Sequence, residues 1–519
     1  EMELDNPDGK PGASPDPTQQ PEDDKGESSR GVDPVEIQVR FFTKDSEVSV
    51  PGNAFSVPLR LGPKGLSEIV NALAEDGESM EEEDDIEDDK KKEQKDNKKK
   101  RLFDFLIDGH FLKGSLAAYA ANRRAAGTPV DEKGIALEYT EALPPPSQGP
   151  TATHPDWVSA LAASHPLSAS QFLVSGCYDG IVRIYSGNSP SALTNSPSFI
   201  ATTEATHPKP IKAVTILKTS ADSKSFPYPL LASASIDPTI HLYALPGPDK
   251  PEIGESKGIS GSGSSPRPLS LLARLEGHTT SVTSLSPLRS AMQTPRMVSG
   301  GFGGQVHLWK VTKEGIESEG GGKRRKVEEA ENGEGEEKAT RGAGKLDPSG
   351  GLEGCKGAVM GLAWPVAGAV YSCGFDKNVR MFDVETGVNS LILPCKAAGT
   401  CLDFGMDANL IATGHTDKSI CLWDPRQSGQ KNVVKLRLRS HKSWVTGVAW
   451  SPITPHRLAS TSHDGTLKVW DARASEALHT LKAHDGKALD LAWWGSGIAT
   501  GGTDRRIGAY SVSGSRLAS

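Results

Sequence analysis

The chain has 519 residues, a formal net charge of −8, 36% hydrophobic residues, and 55 Gly against 13 Phe. That length allows more than one domain, and a glycine-rich, phenylalanine-poor balance suits many short strands and turns. The negative balance argues against nucleic-acid binding through overall charge and leaves that role to local basic clusters.

No apolar run reaches the roughly 18 residues of a membrane span, and the acidic, Pro-rich N-terminus does not read as a signal peptide. Six cysteines (Cys177, Cys355, Cys373, Cys395, Cys401 and Cys421) show no CxxC pairing. They are expected to be reduced, mostly buried thiols of an intracellular protein.

Residues 1–34 are rich in Pro, Asp, Gly and Ser and are expected to form a disordered tail. From Val35 to Phe41 apolar and polar residues alternate, which predicts a strand, and a second strand fits Ser46 to Leu61. Leu66 to Leu73 has helical apolar spacing. Phe103–Ile107 reads as a strand, Leu116–Ala121 as a short helical turn, and Ile135–Tyr139 as a last strand.

This order, over residues 35–141, is that of a ubiquitin-like β-grasp (α+β) domain. A charged insertion interrupts it at about 75–101, acidic to Asp89 and basic from Lys90. The basic half reads either as a nuclear-import or RNA-contacting patch, or as part of a self-neutralising solubility loop.

Residues 142–153, with Pro144-Pro145-Pro146, are expected to be a stiff linker. Beyond it one spacing recurs. Asp464 lies six residues before Trp470, and the same step joins Asp179 to Tyr185, Asp237 to Tyr243, Asp376 to Phe382, Asp417 to Trp423 and Asp504 to Tyr510. Trp309 closes a seventh copy that keeps the turn glycines but not the Asp. His154, His207, His278, His441 and His484 precede five of the turns, and the fourth and fifth copies lack a His there.

His, then a strand to an Asp turn, then a strand ending in Trp-Asp is the pattern of a WD-repeat blade. One blade cannot bury its own faces, so the copies must stack and close. The expected fold is all-β: a seven-bladed WD-repeat β-propeller over 154–511, preceded by the β-grasp domain.

Phe382, Trp423, Trp470 and Tyr510 are separated by 41, 47 and 40 residues, near the usual blade period of about 40–45. Longer earlier steps predict insertions at Thr219–Tyr228, about 246–268 and about 313–349. The last carries Lys323-Arg324-Arg325-Lys326, a candidate nuclear-localisation signal. The chain ends soon after Tyr510, so residues near 147–153 are expected to supply the outer strand of the final blade.

Ser460, His463 and Asp464 superficially suggest a catalytic triad. A constellation repeated around a ring is architecture, a buried hydrogen-bond network that sets register, so no catalytic residues are assigned. No phosphate-cradling loop or metal-ligand cluster stands out, and no intrinsic cofactor is expected. Trp423-Asp424-Pro425-Arg426 and Trp470-Asp471-Ala472-Arg473 form paired WDxR motifs. Such pairs resemble those of substrate receptors of cullin-RING ubiquitin ligases, the alternative reading of this chain.

Val39-Arg40-Phe41-Phe42-Thr43, Gly65 to Asn71, Asp104-Phe105-Leu106-Ile107, Leu137-Glu138-Tyr139-Thr140 and Leu143-Pro144-Pro145-Pro146 carry a more specific likeness. Over both domains the chain resembles the WD-repeat ribosome-biogenesis factors of the pescadillo/block-of-proliferation (PeBoW) complex. The Notchless relatives share the N-terminal domain type but have an eighth blade.

The resemblance implies a non-enzymatic assembly factor of the large ribosomal subunit, acting in the nucleus, nucleolus and nucleoplasm. It implies that the propeller docks on the propeller of the block-of-proliferation protein, with pescadillo in the same complex. It further implies that the AAA+ ATPase midasin grips the ubiquitin-like domain and strips the factor from the pre-ribosomal particle. An acid before the last strand of that domain completes a Mg²⁺ site in midasin. Here the matching position is Glu132, with Asp131 the nearest competitor. Mg²⁺ takes oxygen ligands in near-octahedral geometry, which an exposed carboxylate can supply in trans.

Overall fold

The structure is a computed structural model. It describes residues 36–44, 50–78, 101–127, 134–165, 168, 171–187, 199–203, 207–218, 229–245, 267–269, 271–289, 294–312, 344–346, 350–352, 354–426 and 434–512. The expected tail, the basic run Lys90–Lys100 of the charged insertion, Asp131, Glu132, the insertion Thr219–Tyr228 and Lys323–Lys326 lie outside the described residues.

Among the described residues the N-terminal unit is one five-stranded sheet with two helices. Its elements are β1 (Glu36–Phe42), β2 (Ala54–Pro58), α1 (Pro63–Glu78), β3 (Phe103–Ile107), β4 (His110–Phe111), α2 (Leu116–Ala125) and β5 (Ile135–Glu141). The sheet order is β2-β1-β5-β3-β4, with β1 and β5 parallel and the other pairs antiparallel.

Alternation along β1 sends Val39 and Phe41 inward, where they meet Phe105, Leu137, Tyr139 and the Leu66 and Val70 stripe of α1. Phe41 meets both Phe105 and Tyr139 edge-on, the arrangement their ring quadrupoles favour. The Ser67 hydroxyl accepts from the Phe103 amide at 3.0 Å, tying α1 to β3. Two elements run longer than their sequence signals. The first helix continues to Glu78, into the acidic block, and Ser115 caps a full helix where a short turn is expected, accepting from the Ala118 amide at 3.2 Å.

After this unit the described residues form seven antiparallel-based sheets, and the architecture is a β-propeller. The first strands of successive sheets are Val158–Ala163, Ile211–Leu217, Val282–Pro287, Val359–Val366, Gly399–Gly405, Val445–Trp450 and Ala488–Trp494. Each adjoins the next, and the last adjoins the first.

A small residue on the second strand of one sheet receives a β-branched side chain from the first strand of the next. A Cβ at Gly176 would press on Ile211, at Gly300 on Val359, and at Gly501 on Val158. Gly501 therefore repeats across the closing contact what Gly176 does between the first two sheets.

The last sheet is completed from far upstream. Ser147–Thr153 pairs antiparallel with Arg506–Ser511 and forms its outer strand. The stretch 142–153 is thus a linker only over its first part. Once Tyr510 closes the third strand, the amides and carbonyls along Arg506–Ser511 need a partner, and the chain before the first sheet supplies it.

The long connections also contribute strands. Arg267–Leu269 pairs parallel with Phe199–Thr203, and Gly344–Leu346 pairs parallel with Leu271–Leu275, so stretches expected as insertions cap two sheet edges.

A chain beginning at residue 147 is expected to fold as a ring. One beginning at residue 154 should melt at least 5 °C lower, the effect of about 4 kcal/mol on a ring of this size, and should tend to self-associate through the exposed edge. Thermal unfolding and light scattering of the two proteins test this, and equal behaviour would contradict the closure described.

Candidate functional site

The repeated polar residues form buried networks. In the sixth sheet, His441 Nε2 lies 2.7 Å from Ser460 Oγ, the Trp470 indole N–H donates to that oxygen at 2.8 Å, and Asp464 faces His441 Nδ1 at 3.3 Å. Asp464 also accepts the Lys442 and Thr466 amides, joining the loop to the turn. His484 similarly contacts Thr500 and Asp504, each at 2.9 Å, and His207 contacts Ser233 and Asp237, each at 2.9 Å.

Two members lack the Asp contact and keep the rest. His278 meets Ser299, which takes the Trp309 N–H at 2.7 Å. His154 meets Ser175 and Tyr185, while Asp179 pairs with Arg183 at 2.6 Å.

His463, adjacent to Asp464, stays out of the network and stacks on Trp444. A hydroxyl and an imidazole, joined by an aspartate in three of these networks, therefore recur in the same place around the ring as a repeated structural joint, with Nδ1 of His154 and of His278 left without a hydrogen-bond partner.

The two copies lacking the loop His use substitutes that the repeat alignment misses. In the fifth, Trp423 donates to Thr413 at 2.8 Å, and His415, inside the strand, reaches the same hydroxyl at 2.8 Å. Asp417 turns to Ser419 and Arg437. In the fourth, Cys355 sits 3.8 Å from Ser372, and Asp376 pairs with the buried Arg380. His415, displaced into the strand, escapes a search for fixed spacing, whereas Cys355 stands four residues before its first strand, the step that His154, His207, His278, His441 and His484 keep.

Burial pushes the imidazoles down, to about 4 for His154, with Arg183 adding to the effect, and to about 3 for His278, with His307 adding. Asp237 is held at about 2, since hydrogen bonds from His207 and Thr239 outweigh the opposing effect of burial.

The paired WDxR motifs diverge in three dimensions. Arg426 is exposed and pairs with Asp424 of its own motif at 2.9 Å. Arg473 is buried, pairs with Asp471 at 2.7 Å, and reaches Glu138 on β5 of the N-terminal unit at 3.2 Å. The two arginines do not project together from one face, which removes the geometric basis of the cullin-receptor reading.

Arg473 belongs to an interface between the N-terminal unit and the sixth sheet. Arg457 donates to the Glu141 carbonyl at 3.3 Å and faces Asp471, Lys113 pairs with Glu476, and His479 approaches the Leu143 carbonyl at 2.8 Å. Leu143 packs beside the apolar cluster of Leu467, Val469 and Tyr510. Burial opposes ionisation of Asp471, but the Arg473 hydrogen bonds and the Arg457 charge prevail and hold its carboxyl below the usual range. Asp104 on β3 moves the other way, raised by burial despite Arg457 and His479.

Glu132 and Asp131 lie outside the described residues, and both ends of their segment are anchored. Gly127 follows α2 with φ +75°, and Gly134 opens β5 with φ +86°. A side chain at Gly134 would collide with the Gln38 carbonyl, so glycine is required there.

Two predictions follow from these geometries. Arg473→Ala should lower stability by about 3 kcal/mol, because it strands buried Asp471 and Glu138, whereas Arg426→Ala should leave the urea midpoint unchanged. Equal effects would contradict the burial described.

For His278 the unfolded ring takes up a proton below about pH 6.5 while the buried ring stays neutral to about 3. Stability is therefore full above pH 6.5 and falls as pH drops toward 3. Asp490, raised by burial to about 7, acts in the opposite sense, losing stability as pH rises. Comparison of the wild type with His278→Gln cancels that contribution. Between pH 7 and pH 5 the wild type should lose about 2 kcal/mol more than the variant, read by urea unfolding, and parallel curves would refute the assignment.

Comparison with known proteins agrees with both units. Residues 37–120 match the NLE (NUC135) domain, and residues 149–186, 269–310, 394–424 and 432–471 match the WD domain, G-beta repeat. The chain is 29% identical over 477 residues to the Ribosome biogenesis protein WDR12 homolog of Arabidopsis thaliana, covering 91% of this chain and 95% of that one. It is 28% identical over 503 residues to the Ribosome biogenesis protein YTM1 of Meyerozyma guilliermondii, with 92% and 95% covered. A WDR12 homolog of Dictyostelium discoideum is 27% identical over 501 residues, with 94% and 95% covered. With the NLE match first, the WD matches after it and similarity running nearly end to end, the chain is similar over almost its whole length to WD-repeat proteins named for ribosome biogenesis.

Proposed function

We propose that this protein is a non-enzymatic assembly factor of the large ribosomal subunit that couples an ATPase to a pre-ribosomal particle. The observation carrying this reading is the near full-length similarity to proteins named for ribosome biogenesis, with the NLE domain first and WD repeats after. In this reading the seven sheets are seven blades and the unit β2-β1-β5-β3-β4 with its helix is a ubiquitin-like β-grasp domain. Domain bounds of 36–141 for the small unit and 147–512 for the ring suit the strand pairing.

The propeller binds the block-of-proliferation protein, with pescadillo in the same complex, and the small domain is gripped by midasin. Glu132 supplies an oxygen ligand to Mg²⁺ at midasin's adhesion site, a role suited to a carboxylate. Work of this kind places the protein in the nucleus, through nucleolus and nucleoplasm, with Lys323–Lys326 as the import signal.

Docking of the small domain on the sixth sheet supports the coupling. A pull on the segment before β5 acts directly on the strand that carries Glu138, and from there on Arg473 and Asp471.

Glu132→Ala should fold normally and retain the block-of-proliferation protein, yet lose Mg²⁺-dependent binding to midasin by at least tenfold, the scale of removing one metal-site contributor. Pull-down with and without chelator measures this. Undiminished binding would remove Glu132 from the role, and loss only on Asp131→Ala would move it by one residue.

A further inference from the structure

The N-terminal unit rests on the face of the ring that carries the loop with Arg473 and Glu476, where the third strand of the sixth sheet joins the fourth. The opposite face carries the turns between second and third strands and the loops leading into each first strand. One backbone bond repeats there in all seven sheets. The residue after the second strand donates its amide to the residue just before the first. Tyr178 to Trp157, Phe302 to Ser281, Phe375 to Ala358 and His463 to Trp444 are four of the seven, at 2.9–3.0 Å. This bond holds two side chains per sheet at the rim of the same face.

Those positions carry aromatic rings in four sheets. Trp157 is 43% exposed, Phe302 55%, Phe375 41% and Trp444 47%. Trp157 pairs with Tyr178 at 5.2 Å between centroids, and Trp444 stacks on His463 at 5.9 Å and 20°. Exposed rings gathered on one face, preassembled in pairs, differ from the scattered apolar residues of an ordinary surface.

The charges around them are predominantly basic. The loops present Lys209, Lys356, Lys396, Lys442 and Lys487, all exposed, with Lys212 over the Tyr178 ring at 4.6 Å. The turns add exposed Lys377, Lys418 and Arg505. The turn aspartates do not cancel this charge toward solvent, because Asp237, Asp464 and Asp504 face histidines and Asp179, Asp376 and Asp417 face arginines. Of the remaining described acids, Asp156 accepts the Trp157 amide, Asp485 pairs with Lys482, and Glu276 is exposed on the loop into the third sheet.

We propose that this face binds single-stranded RNA, with unpaired bases stacking on the Trp157/Tyr178 and Trp444/His463 pairs and phosphates meeting the surrounding lysines. Flat rings accept any base because every base has a π-face, and lysines spaced along a surface track a backbone. A duplex hides its base faces and cannot use the rings. A basic face on a chain of net charge −8 also limits contact to this one surface. The inference rests on the ribosome-assembly reading only for which RNA is met, and its test involves neither midasin nor Glu132.

The test is fluorescence anisotropy of the full chain with a labelled oligouridine of about twelve nucleotides, within the usual site size. The wild type should bind with affinity falling as salt rises. Trp157→Ala combined with Trp444→Ala should weaken binding about a hundredfold, roughly tenfold per lost stack, with an unchanged melting temperature since both rings are exposed. Lys209→Gln, Lys442→Gln and Lys487→Gln together should reduce the log–log salt slope by about 2, and this variant decides the matter should the tryptophan variant misfold. Three outcomes would overturn the proposal: no oligouridine binding by the wild type, wild-type affinity in both variants, which would place RNA on another basic run, or equal competition by duplex RNA or polyglutamate, which would assign the face to a duplex or an acidic protein.

Discussion

The structure depends on one strand pairing made across almost the whole propeller sequence, Ser147–Thr153 against Arg506–Ser511. Without it the ring would have two ends, and the third strand of the last sheet would present unpaired amides and carbonyls to solvent. With it, the segment between the N-terminal unit and the ring becomes a fixed joint. Leu143 packs beside Leu467 and Val469, His479 meets its carbonyl, and β5 is delivered against the sixth sheet, where Arg473 meets Glu138. Ring closure and domain docking are thus two consequences of one pairing.

Inside the ring the polar networks work as joints. Most tie a loop and a strand hydroxyl, and Tyr185, Trp309, Trp423 and Trp470 add a phenol or indole to four of them, so that hydrogen bonding offsets much of the cost of burying polar groups. This leaves two faces free to differ. One carries the small domain and its ion pairs. The other carries rings and lysines. A protein organised this way can be pulled on one face while it holds something on the other.

Much of this was legible in residues alone. The step of six from turn Asp to aromatic, repeated along the chain, reports strand length and turn type, both local properties, so it predicted where each second and third strand lies. The need for an extra strand near 147–153 could be inferred by counting strands after Tyr510. Other features were not legible. The His415 substitution depends on which side chain reaches the buried hydroxyl, a distance in space that fixed spacing does not encode, and Cys355 holds the loop-His spacing with a residue type the pattern does not name. Glu132 entered through resemblance, because a single acid in a loop carries no pattern of its own.

The two WDxR motifs mark the boundary most clearly. In sequence they are near copies, and local chemistry treats them alike: in each, the arginine turns back on the aspartate two residues before it. The sequence by itself determined that local pairing, the blade pattern, and the alternation that builds the small sheet, because all three follow from neighbours along the chain. Only the tertiary structure decided that Arg473 is buried against Glu138 while Arg426 stays in water. That outcome depends on which sheet the N-terminal unit lands on, and contacts between residues more than three hundred positions apart are set by the closed shape of the ring.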